Sequence, residues 1–276
     1  MILRRLTQHV KDQNWFAVGL DFVIVVVGVF LGIQIGNWND DRVLRQKAAG
    51  LEQQLVVEMA KEAMSFRFVR TYYEDVQANG EAVLADVEGT IKLPDEAYVI
   101  KAFRATQYTN ARTTRYAFND IVAAGIADLI NNRTLMVAAD FIYNYPWQNV
   151  AEQEGRASAY RRLFRETVPL DVQRDARLSC GDLDWANMGD DEFRVMLSAP
   201  DLVLLDYSCS LSVPADRIAF AAKALREADG LETALRLRIA EMDNTNALIG
   251  LAEETMRPWR MTPEAFAKAE KERSEP

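Results

Sequence analysis

Five acids, Asp182, Asp184, Asp190, Asp191 and Glu192, crowd the segment between Cys180 and Cys209. Clustered carboxylates are the raw material of a calcium loop. Such a loop asks for Asp-x-Asp-x-Asp/Asn-Gly and a Glu at its twelfth position. Counting from Asp182, the fifth position is Ala186 and the sixth is Asn187, so the pattern fails. Capping of a helix that starts near Asp190 accounts for several of these acids. The two cysteines, in the polar surroundings Leu-Ser-Cys-Gly-Asp and Tyr-Ser-Cys-Ser, suit a disulfide in an oxidising compartment, with two separate thiols as the alternative. Closing that loop would stabilise the fold by about 3–4 kcal/mol.

Other chemistry is excluded by what is missing. The only histidine, His9, precedes the long apolar segment, so the large C-terminal part has no histidine base and no His-ligated zinc site. Two cysteines cannot complete a four-cysteine site. The chain holds no phosphate-binding glycine loop, no dinucleotide fingerprint and no Gly-x-Ser-x-Gly elbow. A stripe of Arg156, Arg161, Arg162 and Arg165, with Tyr160 and Phe164 between, reads as a solvated helix face, with an anion site as the alternative. No catalysis, cofactor or metal is expected.

The chemistry that remains is helix packing in a membrane. Residues 22–35 form the long uncharged run of the chain. Read outward, the span covers residues 15–38, with Trp15 and Trp38 about 34 Å apart along a helix. Tryptophans at that separation match the bilayer core plus a little interface. A cleaved signal peptide fits worse, because the apolar run is too long and no Ala-x-Ala-like site follows it.

At about 100° per residue, Gly28 and Gly32 lie about 20° to either side of Asp21, and Gly36 about 60° away. Glycines at i, i+4 and i+8 strip a stripe of side chains, so that another helix can approach closely. Asp21 either snorkels to the headgroups or meets a polar group of a partner helix on the same face. Gln34 points to the other side.

Flanking charges tie: Arg4, Arg5 and Lys11 precede the span, and Arg42, Arg45 and Lys47 follow it. The amino terminus and the cysteine pair tip the expectation to a cytoplasmic N-terminus and a periplasmic C-terminal domain. Residues 1–14 alternate Ile2, Leu3, Leu6 and Val10 with the basic residues, as a short interfacial helix would.

The elements behind the span read as helical throughout. Leu44, Leu51, Leu55, Met59, Phe66, Val69, Tyr73 and Val76 recur mostly by three, four and seven, which predicts a helical stalk over 39–89, either one helix continuous with the span or two, with Gly80 as a candidate break. A bundle domain follows over 90–257. Within it helices are expected over 96–107, over 116–124 with Gly125 as stop, and over 132–167 with a boundary at Pro146. Residues 168–213 are the least regular, with Leu202 to Leu205 a short buried run. Pro214 opens a last long helix to Met256, and a charged tail fills 258–276. The fold class is all-α: one N-terminal transmembrane helix followed by a helical bundle.

Two stretches carry a resemblance. The run from Asp21 through Gly28 to Gln34-Ile-Gly-Asn37-Trp38-Asn39 resembles the N-terminal signature of an uncharacterised bacterial family of single-span membrane proteins with a helical C-terminal domain. Asp21 stands where that family more usually has Glu. Tyr116 through Gly125, Leu129, Ile130 and Asn132 to Leu135 is similar to its mid-domain pattern of a glycine, a Leu-Ile pair, a polar turn and a Leu-led helix. The resemblance implies a membrane anchor and a helical domain, and no activity; the expected location is the bacterial inner membrane.

A net charge of −9 argues against nucleic acid as a partner. The expected partners are the lipid bilayer and another membrane protein or a second copy of the chain. The expected function is an interaction protein, an accessory subunit docking through Asp21, Gly28, Gly32 and Gly36. The alternative is an extracytoplasmic ligand-binding or sensory module.

Overall fold

The computed structural model describes residues 15–109, 113–145, 147–181 and 209–261, together with 265 and 268. Every regular element among them is helical, so the all-α expectation holds. Helix α1, Trp15–Val87, runs unbroken for 73 residues, about 110 Å at about 1.5 Å per residue. The apolar span and the segment behind it are one rod.

That rod has two kinds of surroundings. From 19 to 47, every side chain described is exposed. From Ala48 on, the three-four stripe turns inward: Leu51, Leu55, Met59, Phe66, Val69, Tyr73 and Val76 are all buried. The stalk expected over 39–89 is therefore free only as far as Lys47. Beyond it, α1 is the central helix of the bundle, because an apolar stripe of this length is stable only when other helices cover it. Gly80 does not interrupt the helix. It faces other helices: a Cβ there would sit in ordinary van der Waals contact with Ile239 and Ala105, at 3.5 and 3.7 Å.

Gly89, at φ +75°, turns the chain after α1. Pro94 then precedes α2, Asp95–Ala105. Helix α3, Tyr116–Ala123, stops before Gly125 (φ +64°), the predicted breaker. A 3-10 turn, Ala127–Leu129, leads to α4, Arg133–Asn144. Asn132 caps α4 by accepting a hydrogen bond from the Leu135 amide at 3.0 Å. The stretch expected as one helix with a boundary at Pro146 is three helices: α4, α5 (Trp147–Ala157) and α6 (Ala159–Thr167). Pro146 itself lies outside the described residues, and the second break falls at buried Ser158.

Helix α7, Leu170–Cys180, occupies the first part of the region expected to be irregular. Leu202 to Leu205 and the five clustered acids lie outside the described residues. The last long helix is two: α8, Ala215–Arg226, and α9, Leu231–Met256, separated by Gly230 at φ +77°. A 3-10 turn, Arg257–Trp259, closes the bundle.

Helix α9 runs antiparallel to the bundle half of α1. Arg236 meets Glu88, Gln77 donates to Asp243, and Arg70 donates to Glu253, so numbers fall on α9 as they rise on α1. Two apolar clusters fill the space between. The one nearer the span joins α1 to α3, α4 and the end of α9 through Leu55, Ile121, Leu135, Met242 and Trp259. The farther one joins Val83 to α2, α6, α7, α8 and the start of α9.

Short α2 is held at both ends by other helices. At its start, Arg226 donates to Asp86, to Asp95 and to the Leu93 carbonyl, with its guanidinium 4.1 Å from the Tyr98 ring centroid. Burial alone would raise the Asp86 carboxyl; Arg226, the Leu93 amide and Lys92 outweigh it and hold it low. At its end, the Tyr160 hydroxyl donates to Ala102 O, Arg161 to Thr106 O, and buried Arg238 to Ala105 O and Gln107 O. Two arginines at a helix C-terminus also oppose its partial negative charge.

Candidate membrane-docking face

One helix among the described residues is long and apolar enough to cross a membrane, and none of its apolar window is buried against the rest of the protein. That exposure separates it from a core helix, which would be equally apolar but covered. Phe22, Val25, Phe30, Leu31 and Ile35 are each more than half exposed. In water such a surface would be a large uncompensated apolar patch.

The glycine stripe lies on this bare segment. A Cβ built on Gly28, Gly32 or Gly36 would meet no atom within 4 Å. The three are therefore not explained by packing within the chain. Their backbone is regular helix, so no unusual φ calls for glycine there. Val25 and Ile35 share the glycine side by helical spacing, whereas Val23 and Phe30 project opposite. Asp21 belongs to the same helix, but its side chain lies outside the described residues, as does that of Trp15. Trp38, at the other end, is 67% exposed and free to lie at a bilayer surface. Residues 1–14, His9 among them, lie outside the described residues.

The other residues singled out in the sequence fall elsewhere. Cys180 and Cys209 form a disulfide with Cα atoms 5.4 Å apart. It ties the end of α7 to the chain approaching α8, in the cluster farther from the span. Asp175 reinforces that tie by accepting from the Val213 amide at 2.9 Å, and Glu96 by accepting from Leu211 at 2.8 Å. The arginine stripe divides between two helices. Arg156 pairs with Glu152 on α5. On α6, Arg162 and Arg165 are exposed, whereas Arg161 turns inward to the end of α2 and over the Tyr108 ring. Burial, then Arg165, lowers its pKa from the usual guanidinium value.

The sequence reading missed a buried polar group on α1 itself. Glu58 and Glu62, one turn apart, are each only 3% exposed. Burial raises the Glu62 carboxyl, the Thr114 amide pulls it back in part, and Glu58 raises it further, to about 8. The signal was present in the register. Both acids fall within the stripe of Leu51, Leu55, Met59 and Phe66, where a solvated acid has no place. Among the described residues no group of three or more His, Cys, Asp or Glu is placed to hold a metal ion. Comparison with protein-family models, curated proteins and solved structures finds no match to this chain.

Proposed function

We propose that the protein is a membrane-anchored interaction protein that docks to another membrane protein, or to a second copy of itself, through the Gly28/Gly32/Gly36 face of α1. The observation that carries this reading is a triple glycine stripe on an apolar helix with no intramolecular partner for it. Between membrane helices there is no hydrophobic driving force, so close backbone approach over small residues is what favours association. Asp21 would add a polar contact on that face. The bundle, rigidly continuous with the span, then stands over whatever the span binds, as an accessory subunit would. The reading assigns no catalytic step, no cofactor and no nucleic acid.

The Cys180–Cys209 disulfide supports an oxidising compartment for the bundle, hence a periplasmic domain with the N-terminus cytoplasmic. The resemblance of the span to bacterial single-span proteins supports an inner-membrane setting.

Tagged protein extracted in mild detergent is expected to carry a stoichiometric membrane partner, or itself as an oligomer, by mass spectrometry. Gly28→Leu combined with Gly32→Leu is expected to abolish that recovery while the melting of the bundle stays unchanged. Recovery of the same partners at wild-type level would sink the docking reading.

A further inference from the structure

Glu58 and Glu62 reach from α1 across to the chain that enters α3. Glu62 Oε1 accepts a hydrogen bond from the Thr114 amide at 2.8 Å. Glu58 Oε1 accepts one from the Ala117 amide, also at 2.8 Å. These amides belong to the open end of α3, whose N-cap residue, Arg115, supplies no side-chain cap. Two acids more than fifty residues away in sequence thus do what a local Asp or Ser usually does.

The arrangement has a strain that a proton relieves. Two buried carboxylates one turn apart repel each other when both are charged, and each is charged at the cost of lost hydration. The second oxygen of Glu62, Oε2, is buried and has no hydrogen-bond partner. The hydroxyl of Tyr143, on α4, is also buried and without one, and both acids act on it electrostatically. Arg115 is the cation on the entering segment that acts on Tyr143. Helix α9 contributes apolar Ile249, Ala252 and Met256 to the same apolar cluster, and its Glu253 is engaged by Arg70 and Arg260.

We propose that Glu58 and Glu62 form a proton-controlled latch: a proton held on Glu62 Oε2 keeps the N-terminal end of α3 docked on α1, and its loss loosens that end. An ordinary Glu would have lost the proton well below neutral pH; burial, opposed by the Thr114 amide and aided by Glu58, keeps it on Glu62 to about 8. In the open state Glu62 returns to its ordinary value near 4.5. A raised carboxyl stabilises the docked state fully below the open-state value, and that stabilisation is lost as pH rises through the docked-state value. The window of the latch therefore runs from about 4.5 to about 8. The latch lies about 30–36 Å along α1 from Trp38, on the same continuous helix as the docking face. This inference stands whether or not that face binds a partner.

Amide hydrogen exchange on the full-length protein in detergent, corrected for intrinsic rates, tests it. Exchange of residues 113–123 is expected to rise about tenfold or more between about pH 5.5 and about pH 7.5. Glu62→Gln, neutral at both values, is expected to remove that rise with α9 protection unchanged. Glu58→Gln, which removes the repelling neighbour, is expected to reduce it. Equal protection of the wild type at both pH values overturns the latch, as does a wild-type rise in Glu62→Gln. If Glu62→Gln does not fold, Glu58→Gln decides: a smaller rise supports the latch, and an unchanged rise overturns it.

Discussion

Residues 19–47 and 48–87 belong to one uninterrupted helix, yet the first stretch is exposed on every described side and the second is the axis of a bundle. The backbone is the same in both. What differs is the distribution of apolar residues around it. The first stretch is uncharged between residues 22 and 35 and, but for Gln34, apolar on all sides, as suits a helix solvated by lipid. The second interleaves apolar residues with charged ones and is covered by the chain on several sides, with Val57, Glu58, Met59 and Ala60 all buried, as suits the axis of a bundle. Polar groups follow the same division. On the bundle half, buried Glu58 and Glu62 find amides of α3, whereas the glycines of the first half meet nothing within the chain. One half is covered by the rest of the chain, and the other is left bare by it.

The largest effect that should separate the halves is a cavity. Leu55→Ala removes a fully buried side chain from the cluster nearer the span. It is expected to destabilise the bundle by about 2–5 kcal/mol, read as the denaturant midpoint in detergent. Leu31→Ala, of identical chemistry on the exposed half, is expected to leave that midpoint unmoved. Equal losses from both would show that the span is part of the folded core, and the comparison would collapse.

The smallest effect lies on the rim of the bundle half. Arg70 bridges to Glu74 and Glu253 at 2.8 and 2.9 Å, but its side chain is 46% exposed. Arg70→Ala is therefore expected to cost only about 0.2–1 kcal/mol. A loss of the size expected for Leu55→Ala would mean that the α1–α9 register depends on charge pairs more than on apolar packing.

Features with local causes were legible in the sequence. Gly125 as a stop, Pro214 ahead of a helix and Asn132 at the start of another act within a turn or two of themselves, and the stripe from Leu51 to Val76 rests on spacing within one helix. Gly230 was missed because Ile218, Leu225, Leu235 and Met242 keep a helical spacing across it, and all four are buried on the two helices it separates. The pattern alone does not show that one helix ends and another begins there. The break at Ser158 was missed for a similar reason: Tyr160 and Phe164 continue the apolar face. The role of α1 as the bundle axis depends on which helices cover it, and those lie as far along the chain as Met256. Glu58 and Glu62 were not singled out because the stripe was traced through apolar residues alone, and their amide partners come from another helix. That Gly28, Gly32 and Gly36 share one side of a single helix was legible because it rests on spacing alone.

Photo-cross-linking residues placed singly at four positions of the span in native membranes report what covers each side of the helix. Val25 and Ile35 lie on the glycine side and leave all three glycines in place; Val23 and Phe30 lie opposite. The account predicts a discrete protein adduct from positions 25 and 35, and lipid adducts alone from 23 and 30. Equal protein capture from both sides, or none from either, would contradict a docking face built on Gly28, Gly32 and Gly36.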